Sequence, residues 1–113
     1  AVGTSNTTYT QLTIKIGLTT DVDLPVGAWY TTGMTTVFDQ SSYNITTVAD
    51  QFFAITLTTP FNYDNTKSLV VEVTQCGYSG GGFGVRNTSL SGTKRHRARI
   101  HGVTQVLSLL IQE

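Results

Sequence analysis

The chain is 113 residues long, formally neutral, and only 12% charged, against roughly 25% in ordinary soluble domains. That length makes one domain with a single core, and the neutrality argues against a nucleic-acid binder. A lone cysteine excludes an intrachain disulfide, and no apolar run approaches the roughly 18 residues of a membrane-spanning helix. Solubility then rests on hydroxyl and amide groups, and 21 of the residues are threonine. Threonine is β-branched, suits a half-exposed pleated surface and is poor helix material.

In chain order, the dominant hydrophobic period is two. Leu12, Ile14 and Ile16 alternate with Gln11, Thr13 and Lys15, so a strand is expected over Gln11–Gly17. The stretch to Gly33 carries Asp21, Asp23, Pro25 and Gly27 as breakers and reads as a long loop, with room for a short strand at Trp29 and Tyr30. A second strand is expected over Met34–Phe38. Phe53, Ile55 and Leu57 alternate with Ala54, Thr56 and Thr58 before Pro60, which predicts a third strand. Residues 61–67 have Asn/Asp turn chemistry. Leu69, Val71 and Val73 then alternate with Val70, Glu72 and Thr74, so the segments on either side of the turn read as antiparallel neighbours. Glu72 is expected to face solvent. Gly77–Gly84 reads as a mobile loop or a bulged strand start. A short strand over Phe83–Asn87, another over Arg95–His101 and a closing strand over Val103–Ile111 complete the pattern. Six to eight short strands with an alternating apolar face mean an all-β, antiparallel sandwich or barrel.

The run from Thr58 to Val73, TTPFNYDNTKSLVVEV, resembles a recurring phrase, T-x-P-F-x-Y followed after five residues by L-[VI]-[VI]-E-[VI]. The phrase occurs in accessory β-sandwich domains of large secreted bacterial proteins of the type IX export class. The Leu12–Gly17 strand and the Thr35–Phe38 segment are similar to the family in order and character. The resemblance spans about residues 9 to 90. It implies a jelly-roll-like sandwich, secretion or display at the cell surface, and neighbours such as peptidase, adhesin or carbohydrate-binding modules. It also implies further strand sequence ahead of Leu12, so residues 1–113 read as one sandwich domain or as a piece of a larger one.

Several side chains invite chemistry. Arg95, Arg97, Arg99 and His101 fall on one face of a strand. Five of the seven Lys/Arg residues lie between Arg86 and Arg99, with no acidic residue among them. An edge strand guarded by charge explains this pattern; a ridge for a sulfated or otherwise anionic polymer is the alternative. Asp21 and Asp23 are two apart in a loop, which suits turn chemistry or, alternatively, calcium, a cation that takes oxygen ligands. Trp29, Tyr30, Tyr43 and Tyr78 fall in or near expected loops. There they would either cover the end of the core or offer rings for stacking sugars. Cys76 and the two histidines lack any motif that would join them as nucleophile and base. Cys76 reads instead as a small apolar residue at a strand end. Asn6, Asn44 and Asn87 begin acceptor triplets for glycosylation, which threonine abundance produces by chance.

The expectation is therefore a non-catalytic module of a larger exported protein. Its partners would be a glycan or protein on a surface and the other domains of its parent chain. Carbohydrate binding through loop aromatics and a self-assembling shell or filament subunit are the alternatives. No cofactor is called for beyond a possible calcium.

Overall fold

The computed structural model describes residues 1–21, 23, 32–84 and 92, together with the strand backbones 95–100 and 103–111. Among these residues the regular structure is entirely β. The strands are β1 (Ser5–Thr19), β2 (Met34–Thr47), β3 (Ser68–Gln75), β4 (Gly77–Gly80), β5 (Arg95–Ile100) and β6 (Val103–Ile111). They form one antiparallel sheet in the order β2-β1-β3-β6-β5, with β4 also paired to β1. The expected all-β, antiparallel class holds.

β1 organises the sheet. Along one side it pairs with β2 over nearly its whole length. Along the other it pairs with β4 through Thr7–Thr10 and with β3 through Thr13–Thr19. The change of partner falls at Gln11, whose φ is +53°. That conformation is uncommon for a residue with a side chain, and here it reverses the pleat. Before Gln11 the inward residues are odd-numbered, Thr7 and Tyr9; after it they are even-numbered, Leu12, Ile14 and Ile16. β2 reverses in step, from Phe38 to Tyr43, Ile45 and Thr47. Both halves of the pair thus feed one core of Leu12, Ile14, Ile16, Val37, Phe38 and Ile45. Phe38 and Tyr43, on opposite sides of the reversal, meet edge to face at 4.8 Å. Each buried aliphatic contributes about 1.5–3 kcal/mol over its exposed state.

β2 carries a second irregularity. Ile14 pairs with Phe38 and Lys15 with Thr36, leaving Val37 as an extra residue, the pattern of a β-bulge. The Val37 side chain is buried, and its carbonyl accepts the Thr58 amide (2.9 Å), the Thr59 amide (3.1 Å) and the Thr58 hydroxyl (3.0 Å). This oxygen anchors the segment after β2 across the sheet. Residues 51–57 join no ladder. The strand expected around Phe53–Leu57 is therefore absent. Its two-residue alternation comes from packing: Phe53 and Ile55 rest on the core while Ala54 and Thr56 face water. Phe61 packs beside them.

The neighbours of β3 are β1 and β6, which corrects the expected pairing with 53–58. Leu69, Val71 and Val73 stand opposite Leu18, Ile16 and Ile14 and pack on the core. Val70, on the other face, is 1% exposed, so β3 is covered on both sides, as suits its nearly continuous apolar run. Glu72 is half-buried rather than solvent-facing, opposite Lys15 across the ladder. Before β3, the Asp64 carboxylate accepts from the Thr66 amide (2.9 Å) and hydroxyl (2.6 Å), the local turn chemistry that Asn and Asp supply. Those two bonds favour the ionised form and lower its pKa.

Strands β1 and β2 begin or end well beyond Gln11–Gly17 and Met34–Phe38, because their outer halves are built from Thr, Ser, Asn and Tyr. The glycine-rich stretch is not a loose loop throughout. Gly77–Gly80 forms β4, and Gly81 and Gly84 are tied down by hydrogen bonds from Ser5, Thr7 and Val2. Phe83 and Gly84 lie outside any strand; the remainder of the expected Phe83–Asn87 strand lies outside the described residues. The last two expected strands correspond to β5 and β6, with His101 outside the described residues.

Candidate functional site

The expected site residues do not gather in one place. Trp29 and Tyr30 lie outside the described residues. Tyr43 is half-buried against Phe38 and belongs to the core. Arg95, Arg97 and Arg99 lie on β5, at one end of the sheet order, where cations discourage the addition of another strand. The β5–β6 register shifts between Ala98 and Ile100. Asp21 and Asp23 are exposed, and Asp23 lies against Gly92. No group of three or more His, Cys, Asp or Glu able to hold a metal occurs among the described residues. Cys76 is exposed, at the junction of β3 and β4, and its amide donates to the Thr10 carbonyl at 2.9 Å. No helix among the described residues is long and apolar enough to cross a membrane.

Among the described residues, Tyr78 is the expected ligand residue that the structure sets beside a concave surface. It is the Cα partner of Tyr9 across the β1–β4 ladder, and the rings lie 6.2 Å apart at 48°. Tyr78 is 60% exposed, while Tyr9 is half-buried. Burial, then the nearby Tyr78, raises the pKa of the Tyr9 phenol, so it stays protonated and able to donate. Tyr9, Tyr78, Gln75, Gly82 and Phe83 together line a cavity of about 190 Å³. Its floor is fixed: Phe83 meets Phe53 edge to face at 5.2 Å. Its rim is fixed too, because the Gly81 carbonyl accepts from the hydroxyls of Ser5 (2.6 Å) and Thr7. Gly80 makes this close approach possible. Its φ is +98°, and a Cβ there would stand 2.3 Å from the Asn6 carbonyl oxygen, so only glycine fits.

Gln75 is the unusual member of this group. It is 6% exposed, and its Oε1 has no hydrogen-bond partner among the described residues. A buried amide oxygen left unpaired costs about 1–3 kcal/mol. No periodicity singled out Gln75 or Tyr9; their significance depends on β4 folding back along β1. A second, larger cavity of about 380 Å³ is lined by Leu18, Gly33, Thr35, Pro60, Phe61 and Asn62 and holds no such unpaired group.

The opposite face of β1–β2 is polar and carries two hydrogen-bonded clusters of side chains. The Asn44 amide donates to Asn6 Oδ1 and to Thr8 Oγ1, and Thr46 Oγ1 donates to Asn44 Oδ1. Past Gln11, the Asp39 carboxylate accepts from Gln11 Nε2 (2.8 Å) and Thr13 Oγ1 (3.1 Å). Two of the asparagines that begin acceptor triplets, Asn6 and Asn44, are joined in this network.

With this geometry in view, comparison with protein-family models, curated proteins and solved structures yields no match.

Proposed function

We propose that this chain is a non-catalytic accessory module of a larger exported protein, serving adhesion or spacing at a surface. The observation that carries this reading is the polar face of β1–β2, where Asn6, Thr8, Asn44 and Thr46 bond to one another and Gln11 and Thr13 both donate to Asp39. Side chains committed to each other make a stable, wettable surface. General acid–base or nucleophilic chemistry instead needs such groups aimed at a shared reacting atom. The Thr58–Val73 phrase and its resemblance to accessory domains of type IX cargo support the same reading and favour secretion. They also favour a jelly-roll-like sandwich, in which a second layer would lie on the face that residues 51–61 cover.

The test is direct. The purified chain, offered polysaccharides, peptides and esters, is expected to turn over none of them and to run as a small particle in size-exclusion chromatography. Product release that survives repurification would overturn the non-catalytic reading. Large uniform particles would overturn the spacer reading in favour of a shell or filament subunit.

A further inference from the structure

From the cavity between β1, β3 and β4 we infer that this module holds a single neutral sugar ring, the terminal residue of a glycan, against Tyr9, Gln75 and Tyr78. The proposal goes beyond the accessory reading and rests on it only for the absence of turnover.

Size comes first. A cavity of about 190 Å³ is smaller than the roughly 300–1,000 Å³ that enclose drug-sized ligands, so it suits one ring rather than a chain of them. Charge comes next. Tyr9, Gln75, Tyr78, Gly82 and Phe83 include no carboxylate and no cation, and an ionic ligand entering would lose its water with no counter-charge in the lining. A neutral ligand meets no such penalty.

The surface chemistry is two-sided, as a sugar is. Tyr78 presents an exposed aromatic face, which accepts the C–H side of a ring and carries a polar tip at its edge. The unpaired Gln75 Oε1 needs a donor, which a sugar hydroxyl supplies. The protonated Tyr9 phenol can donate in return. The lining is held before any ligand arrives, by the Phe53–Phe83 contact and the hydroxyl bonds to Gly81. Little ordering is then left for binding to pay for. An apolar ligand would leave the Gln75 oxygen unmet.

The experiment uses the full ¹⁵N-labelled chain and the methyl α- and β-glycosides of glucose, galactose and mannose at millimolar concentration. At least one glycoside is expected to shift the Gln75 side-chain amide together with the Tyr78 and Gly82 backbone amides. Oligosaccharides ending in that sugar are expected to shift the same signals, and those carrying it only internally are not. Gln75→Leu removes the unpaired acceptor at similar size; it is expected to fold at least as stably and to weaken binding roughly tenfold. Gly82→Leu adds bulk at the rim, where a Cβ meets nothing within 4 Å, and is expected to abolish the shifts while the circular dichroism spectrum stays unchanged. No shifts with any glycoside, shifts elsewhere, equal binding by Gln75→Leu, or a preference for uronic or sulfated sugars would each overturn the proposal. None of these outcomes touches the accessory reading, which turnover or assembly into large particles overturns.

Discussion

Strand β1 builds its dry side in two different ways on either side of Gln11. In the second half, Leu12, Ile14 and Ile16 are buried as aliphatic side chains against β2 and β3. In the first half the buried positions include hydroxyls. Thr7 on β1 and Thr47 at the far end of β2 are 0% and 1% exposed, and they donate to the carbonyls of Gly81 and Gly3. Burying a hydroxyl is unfavourable unless it finds a partner, and in each case the partner is a glycine carbonyl. The aliphatic half needs only shape. The hydroxyl half needs a neighbouring backbone brought to hydrogen-bond distance, which is the task of β4 and of the chain's first residues.

The comparison can be broken from either end. Leu12→Ala is expected to have the largest effect, costing about 2–5 kcal/mol in urea unfolding. For a domain whose whole stability is about 5–15 kcal/mol, that is a large share. A loss under about 1 kcal/mol would place the core elsewhere. Gly80→Ala is next, at about 1–3 kcal/mol, because it forces a side chain into a left-handed backbone conformation and against the Asn6 carbonyl. It should also release β4, seen as faster exchange of the Gly77–Gly80 amides.

Thr47→Val keeps the shape and removes the donor to Gly3 (2.8 Å), at an expected cost of about 1 kcal/mol. A stabilising Thr47→Val would mean that both halves work by apolar burial, and the distinction would collapse. The smallest effect is a pH response. The Tyr9 pKa is raised in the folded state, so above the ordinary tyrosine range the unfolded chain loses that proton first. Stability should therefore decline as pH rises through the Tyr9 value, and ultraviolet titration should show Tyr9 ionising above the ordinary tyrosine range. Tyr9→Phe should remove that late step.

The same contrast explains what could be read in advance. Leu12, Ile14 and Ile16 announce a strand by period two, and so do Leu69, Val71 and Val73. Ser5–Thr10 and Asp39–Thr47 carry the same ladder mostly in polar residues that look alike whether buried or exposed, so those halves give no periodic signal. Phe53 and Ile55 show the converse: alternation records which face is dry and not whether a neighbouring strand is hydrogen-bonded. At the candidate site only Tyr78 was legible. Tyr9 and Gln75 are drawn to it by the pairing of β4 with β1 and by the end of β3, contacts more than sixty residues apart in sequence that no local pattern encodes.

The bulge at Val37 has a mechanical consequence. One carbonyl oxygen is the pin through which residues 58 and 59 are fastened to the sheet, and Ala1 holds Asp50 and Gln51 at the other end; between these ties Phe53 and Ile55 pack on the core. A segment pinned only at its two ends bows away without unzipping any ladder, and partial openings of that kind cost less than global unfolding. The amides of 52–57 should therefore exchange with solvent, and admit a protease, while the strands beneath remain intact.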